Sequence, residues 1–175
     1  KANIMKILFI LRQNGPTDYS TTIKSGLLNS ASFVANFLKS ELNYETKVVV
    51  VFDGNAINKE LHDFKPDYVI LEAIWCPPYK LEELSKLHPN VKWIIRVHSK
   101  TPFLANEGIA IEWLNEYNKI NNVLISFNNK ETNEDFKAMG YNAIYLPNIY
   151  YIDGCTKSSE EIDERFAEHL ESVDK

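Results

Sequence analysis

Cysteine is scarce in this chain. Cys76 and Cys155 are the only two among 175 residues, too few for a disulfide framework and without the spacing of a zinc cluster. They read as reduced structural thiols, which points to a cytoplasmic protein. Glycine is nearly as scarce, with six residues. None forms a Gly-x-Gly-x-x-Gly after the first apolar run, where Gly15 and Gly26 stand far apart. That excludes a nicotinamide dinucleotide site of the usual kind. The P-loop pattern and the Gly-x-Ser-x-Gly elbow are also missing, which argues against a P-loop nucleotidase and an α/β-hydrolase. No His, Cys or carboxylate group has metal-ligand spacing, and no strand-end aspartate cluster marks a phosphorelay receiver. No cofactor and no metal is expected.

Basic residues do not dominate either. Nineteen Lys and Arg face 24 Asp and Glu, for a net charge of −5. A general nucleic-acid binder needs a basic face, so nucleic acid is not expected as a partner. No apolar run approaches the roughly 20 residues that cross a bilayer, so no membrane span is expected. The first apolar run, Met5–Leu11, is strand-like and no small-residue cleavage site follows it, so it is not read as a signal peptide.

What is present is a repeated grammar. An apolar run ends in polar residues, and a helical segment follows. Met5–Leu11 leads to Arg12, Gln13 and Asn14. Lys47–Phe52 leads to Asp53, Tyr68–Leu71 to Glu72 and Trp75, and Val91–Val97 to His98 and Ser99. Val123–Ser126 leads to Asn128 and Asn129, and Ala143–Leu146 to Pro147 and Asn148. Helices are expected over Gly26–Leu42, with Ser25 as N-cap, over Ile57–Phe64, and after Pro77-Pro78 on Leu81, Leu84 and Leu87. Two more are expected on Ile109, Ile111, Trp113, Leu114 and Tyr117, and over Asn129–Met139, stopped by Gly140. The regular alternation predicts an α/β fold: a doubly wound, mainly parallel six-stranded sheet with helices on both faces, Rossmann-like. Residues 1–150 form this domain. Residues 151–175 are read as a loop and a helix, with Ile162, Phe166 and Leu170 docking on the same domain.

Open parallel sheets bind ligands outside the carboxyl ends of their strands. The polar residues at those ends are therefore the site candidates. His98 is foremost: a neutral imidazole there can take a proton from a substrate hydroxyl or hold a sugar hydroxyl, and it can equally tie down the loop that follows. Glu72 can accept hydrogen bonds from vicinal hydroxyls, or it can pair with Arg96 or Arg12. Arg12 can clamp an anion. Trp75 offers an aromatic face, although most such rings simply pack. Ser99, Glu107 and Gly108 complete the strand-four rim. The N–H groups after Glu107 can receive a ligand oxygen, or Glu107 can serve only as a cap.

Several segments together resemble the N-terminal, acceptor-binding half of a GT-B glycosyltransferase. These are Met5-Lys6-Ile7-Leu8-Phe9-Ile10, the Ser25-Gly26 loop, Leu71-Glu72-Ala73, Ile95-Arg96-Val97-His98-Ser99, Pro102 to Gly108, Val123–Asn128, and Gly140 through Asn148. Some of them are also similar to phage-encoded proteins of this kind. The resemblance spans about residues 5 to 150. It implies half of a GT-B fold and a sugar or glycan acceptor at the strand ends. It also implies His98 as acid/base or acceptor-positioning residue, Glu72 and Arg12 orienting the ligand, and the Ser25-Gly26 loop approaching it. A nucleotide sugar would bind only with a second domain, so a domain inactive alone is expected. The alternatives are a non-catalytic interaction module, as a homo-oligomer or with another protein, and a small nucleotide-binding enzyme with an unusual loop.

Overall fold

A computed structural model of the chain describes residues 3–13, 26–100, 104 and 108–150. Six strands form one sheet: β1 (Lys6–Arg12), β2 (Glu45–Val51), β3 (Tyr68–Glu72), β4 (Lys92–Val97), β5 (Val123–Phe127) and β6 (Ala143–Tyr145). Their order is β2-β1-β3-β4-β5-β6, and every neighbouring pair is parallel. Among the described residues five α-helices are complete: α1 (Gly26–Leu42), α2 (Ile57–Phe64), α3 (Pro78–Leu87), α4 (Ala110–Tyr117) and α5 (Lys130–Ala138). The fold is a Rossmann-like, doubly wound α/β sheet.

Side chains alternate across each strand, so each central strand serves two cores. Ile7, Phe9, Leu11, Ile70 and Ile94 pack on α1 through Ala31 and Ala35. Leu8, Ile10, Val69, Leu71, Trp93, Ile95 and Ile125 pack on the opposite side. There they meet Leu61 of α2, Leu81 and Leu84 of α3, Leu114 and Tyr117 of α4 and Phe136 of α5. This asymmetry follows from handedness. A right-handed crossover stepping outward from β1 to β2 lies on one face. Crossovers stepping the other way, from β2 past β1 to β3 and on to β6, lie on the other. The direction of winding reverses between β1 and β3, the place outside whose strand ends open α/β sheets generally bind ligands.

Local chemistry sets the element ends. Pro77 and Pro78 open α3, where the missing N–H groups have no intrahelical partner to lose. Asn129 caps α5 by accepting the Thr132 N–H at 2.9 Å. Asp53 accepts from the Asn55 N–H at 2.8 Å and starts the 3₁₀ turn Gly54–Ala56. Gly140, at φ +88°, stops the chain after α5. Lys65 takes the same left-handed role after α2, at φ 53°. Leu87 ends α3, as expected, but is exposed. Three-residue steps drift about 60° each around a helix, so Leu87 rotates off the stripe that Leu81 and Leu84 begin. Ile109 is exposed as well and lies just before α4, whose buried residues are Ala110, Leu114 and Tyr117. Cys76 is buried, and burial pushes its thiol up to about 12. It is therefore closed to thiolate chemistry at neutral pH. Ser25, Glu107, Cys155 and the whole of 151–175 lie outside the described residues. Among the described residues no helix is long and apolar enough to cross a membrane.

Two stability effects follow. Gly140→Ala should cost about 1 kcal/mol, while Lys65→Gly should gain about 0.5–1 kcal/mol, because only glycine takes the left-handed region without a Cβ penalty. Urea unfolding of both variants measures this; shifts of the same sign would contradict it. In addition, burial, and secondarily the charge of His62, holds His88 below its ordinary pKa. The folded state then binds fewer protons than the unfolded one. The contribution of His88 is therefore complete above the unfolded value, about 6.5, and is lost as pH falls from there through the folded value. His62→Gln should shrink that acid loss in thermal melts at stepped pH. An unchanged or larger loss would contradict the coupling.

Candidate functional site

The alternation that builds the α1-side core also builds a polar row at its end. Ile70, Ile94 and Leu124 lie side by side across β3, β4 and β5. Two residues further along the same faces, Glu72, Arg96 and Ser126 lie side by side. Two residues beyond Arg96 comes His98, just past the end of β4. A period of two therefore aims Ile94, Arg96 and His98 at the same side, while Trp93, Ile95 and Val97 enter the other core.

Glu72 and Arg96 are essentially excluded from water, at 1% and 2% exposure. One carboxylate oxygen of Glu72 accepts from the Arg96 guanidinium at 2.9 Å, and the other bonds His98 Nε2 at 2.7 Å. The remaining reach of Arg96 goes to Ser30 Oγ on α1, at 3.0 Å, and to Asn148 Oδ1 beyond β6, at 3.3 Å. One guanidinium thus ties together β3, β4, α1 and the segment after the last strand. Ser126, fully buried at the next position of the row, has no hydrogen-bond partner for its hydroxyl oxygen. Ala73, directly after Glu72, sits at φ 72°. Such a non-glycine residue stores on the order of 1 kcal/mol of strain, and here its N–H is held by the Arg96 carbonyl at 2.9 Å.

The tautomer of His98 follows from this geometry. A carboxylate is an acceptor only, so the bonded Nε2 is the donor, and in a neutral ring the acceptor nitrogen is then Nδ1. The ring is 19% exposed and lines a cavity of about 330 Å³, together with Gly26, Asn29, Ser30, Phe33, Asn148 and Tyr150. Gly26 begins α1 and lines the cavity, and the first turn of that helix holds no acidic residue. The site combines a carboxylate-backed base, several amide and hydroxyl groups and an aromatic rim. It can accept a proton from a hydroxyl and hold that hydroxyl's neighbours.

The structure divides the residues expected from sequence. His98 and Gly26 share the cavity. Glu72 is buried behind His98, bonded to it and to Arg96, and does not line the cavity. Arg12 and Trp75 lie together elsewhere, in a second cavity beside Asp53 and Tyr79. Ser99 is half-buried next to His98, and neither cavity includes it. Gly108 is exposed in open space before α4. Ser25 and Glu107 lie outside the described residues. Reading the sequence missed Ser30, Asn29 and Tyr150, and it named Asn148 as a strand-end polar group without giving it a role. One signal was available: an arginine two residues before a strand-end histidine shares its face and, once buried, needs several acceptors. Among the described residues no group of His, Cys, Asp or Glu could hold a metal ion. No protein-family model matches the chain, and no curated protein matches it.

The buried pair can be tested directly. Glu72→Leu and Arg96→Met should each cost about 3–5 kcal/mol, because each leaves the surviving charge buried and unpaired. The double variant should lose much less than the sum. Denaturant unfolding of all four proteins closes the cycle; additive losses would show that the two charges do not depend on each other.

Proposed function

We propose that this domain holds a sugar or similar polyhydroxylated acceptor in the His98 cavity, as the acceptor-binding half of a glycosyltransferase of the GT-B type. The carrying observation is the imidazole with Glu72 at 2.7 Å behind it and, in front, a cavity of about 330 Å³ in which Asn29, Ser30 and Asn148 stand among the apolar groups Leu27, Phe33 and Ile149. In this reading His98 is the base. An acceptor hydroxyl gives its proton to Nδ1 as its oxygen attacks the anomeric carbon of a nucleotide sugar, and the nucleotide leaves with the bonding electrons. Glu72 keeps the imidazole in the receptive tautomer and stabilises the imidazolium that forms. Arg96 holds Glu72 in place, so it positions the base without touching the acceptor. Asn29, Ser30 and Asn148 supply the acceptors and donors that orient vicinal hydroxyls. The nucleotide sugar falls to a second unit across the carboxyl edge.

A second reading, a non-catalytic interaction module, is favoured by a different observation. An apolar groove of about 330 Å³ runs beside α1, lined by Met5, Phe37, Tyr44, Tyr68 and Ile149 among others. A saccharide panel separates the two readings. Saturation-transfer NMR should show neutral mono- and oligosaccharides binding, with His98 ring resonances shifting. His98→Ala should weaken binding about tenfold, or roughly 1.4 kcal/mol, with the fold intact by circular dichroism. No saccharide contact at millimolar concentration, together with self-association in sedimentation, would replace the first reading with the second.

A further inference from the structure

The second cavity is the strongest feature that the His98 site leaves unused. It lies at the carboxyl ends of β1 and β2, between the 3₁₀ turn and the start of α3, and encloses about 170 Å³. That is the space of roughly five or six waters, on the scale of one substituted six-membered ring. Among the described residues, its lining shares none with the His98 cavity.

The chemistry of that lining is mixed in a specific way. Arg12, exposed at the end of β1, has no ion-pair partner among the described residues. Lys80 is a second cation on the wall, already bonded to Glu83 at 3.1 Å. Asp53 spends one carboxylate oxygen on the Asn55 N–H and retains the other. Two aromatic rings flank these groups: Trp75, half-buried, and Tyr79, 74% exposed. Gly54 lets the turn close on α3, since a Cβ there would come within 3.0 Å of the Lys80 side chain.

We propose that this cavity is a binding site for a hydroxylated ring that carries one anionic group, the chemistry shared by acidic monosaccharides and nucleoside monophosphates. Arg12 forks the anion with parallel N–H donors. Tyr79 and Trp75 take the ring against an apolar face. The second oxygen of Asp53 accepts from ring hydroxyls. Lys80 is already paired with Glu83, so Arg12 is the cation of the described lining that faces the anionic group. The proposal does not rest on the His98 reading.

Calorimetric titration of the whole chain tests it with five probes: D-glucuronate, D-glucose, uridine monophosphate, uridine and inorganic phosphate. Glucuronate or uridine monophosphate should bind saturably, about tenfold more tightly than its neutral counterpart and than phosphate alone. The one that binds identifies the source of the anion. Arg12→Gln and Tyr79→Ala, both at exposed positions, should each weaken that binding about tenfold. His98→Ala should leave it unchanged, which keeps this test separate from the acceptor experiment. The proposal is overturned by binding of neither anionic probe, by phosphate binding as tightly as both, or by affinity that survives Arg12→Gln.

Discussion

A charge pair without water holds this molecule's functional edge together. Glu72 and Arg96 face each other across adjacent strands, and each is hidden from solvent. Removing a carboxylate or a guanidinium from water costs several kcal/mol, and only a close partner with further hydrogen bonds offsets it. Here the offset is spread over four structural elements. Glu72 bonds both Arg96 and His98, and Arg96 bonds Ser30 and Asn148 as well. The histidine ring, the first turn of α1 and the segment after β6 therefore cannot shift independently. A site held in this way is pre-organised before any ligand arrives.

The pair sits where it does because the sheet changes character along its strands. In their middle, the faces toward α1 carry Phe9, Ile70 and Ile94, which need only burial. At their carboxyl ends the same faces carry Glu72, Arg96 and Ser126. The apolar core stops there and a polar network begins. The strained Ala73 marks the same boundary, turning the chain from the buried carboxylate toward Trp75. On the other side of the sheet, the ends of β1 and β2 gather Arg12, Asp53 and Trp75 into a separate cavity. One edge of one sheet thus carries two chemically distinct cavities, divided by the plane of the strands.

Much of the fold was legible before any coordinates. Ile57–Phe64 and Tyr68–Glu72 stand where their apolar runs and breakers put them. The proline pair opens α3, Asn129 caps α5 and Gly140 ends it, because these residues act through neighbouring backbone groups alone. Leu87, the last residue of α3, and Ile109, just before α4, fit a periodic apolar stripe yet stand in water, because the core face of each helix does not extend to its end. The site was legible in part. His98 and Glu72 stood out as strand-end polar groups. That Glu72 serves the histidine from behind was not visible, nor was the separation of Arg12 and Trp75 from it.

The amino-acid sequence by itself determined the alternation of strand and helix, the parallel sheet and the row of polar groups at its carboxyl edge. Those follow from side-chain period and local backbone chemistry, which act over a few residues. Only the tertiary structure decided which polar groups meet. Strand order and the hand of each crossover bring Ser30, Glu72, Arg96, His98 and Asn148 together, although Arg96 and Ser30 are 66 residues apart in the chain. The pairing of buried charges is an outcome of packing across the whole sheet, and no local pattern encodes it.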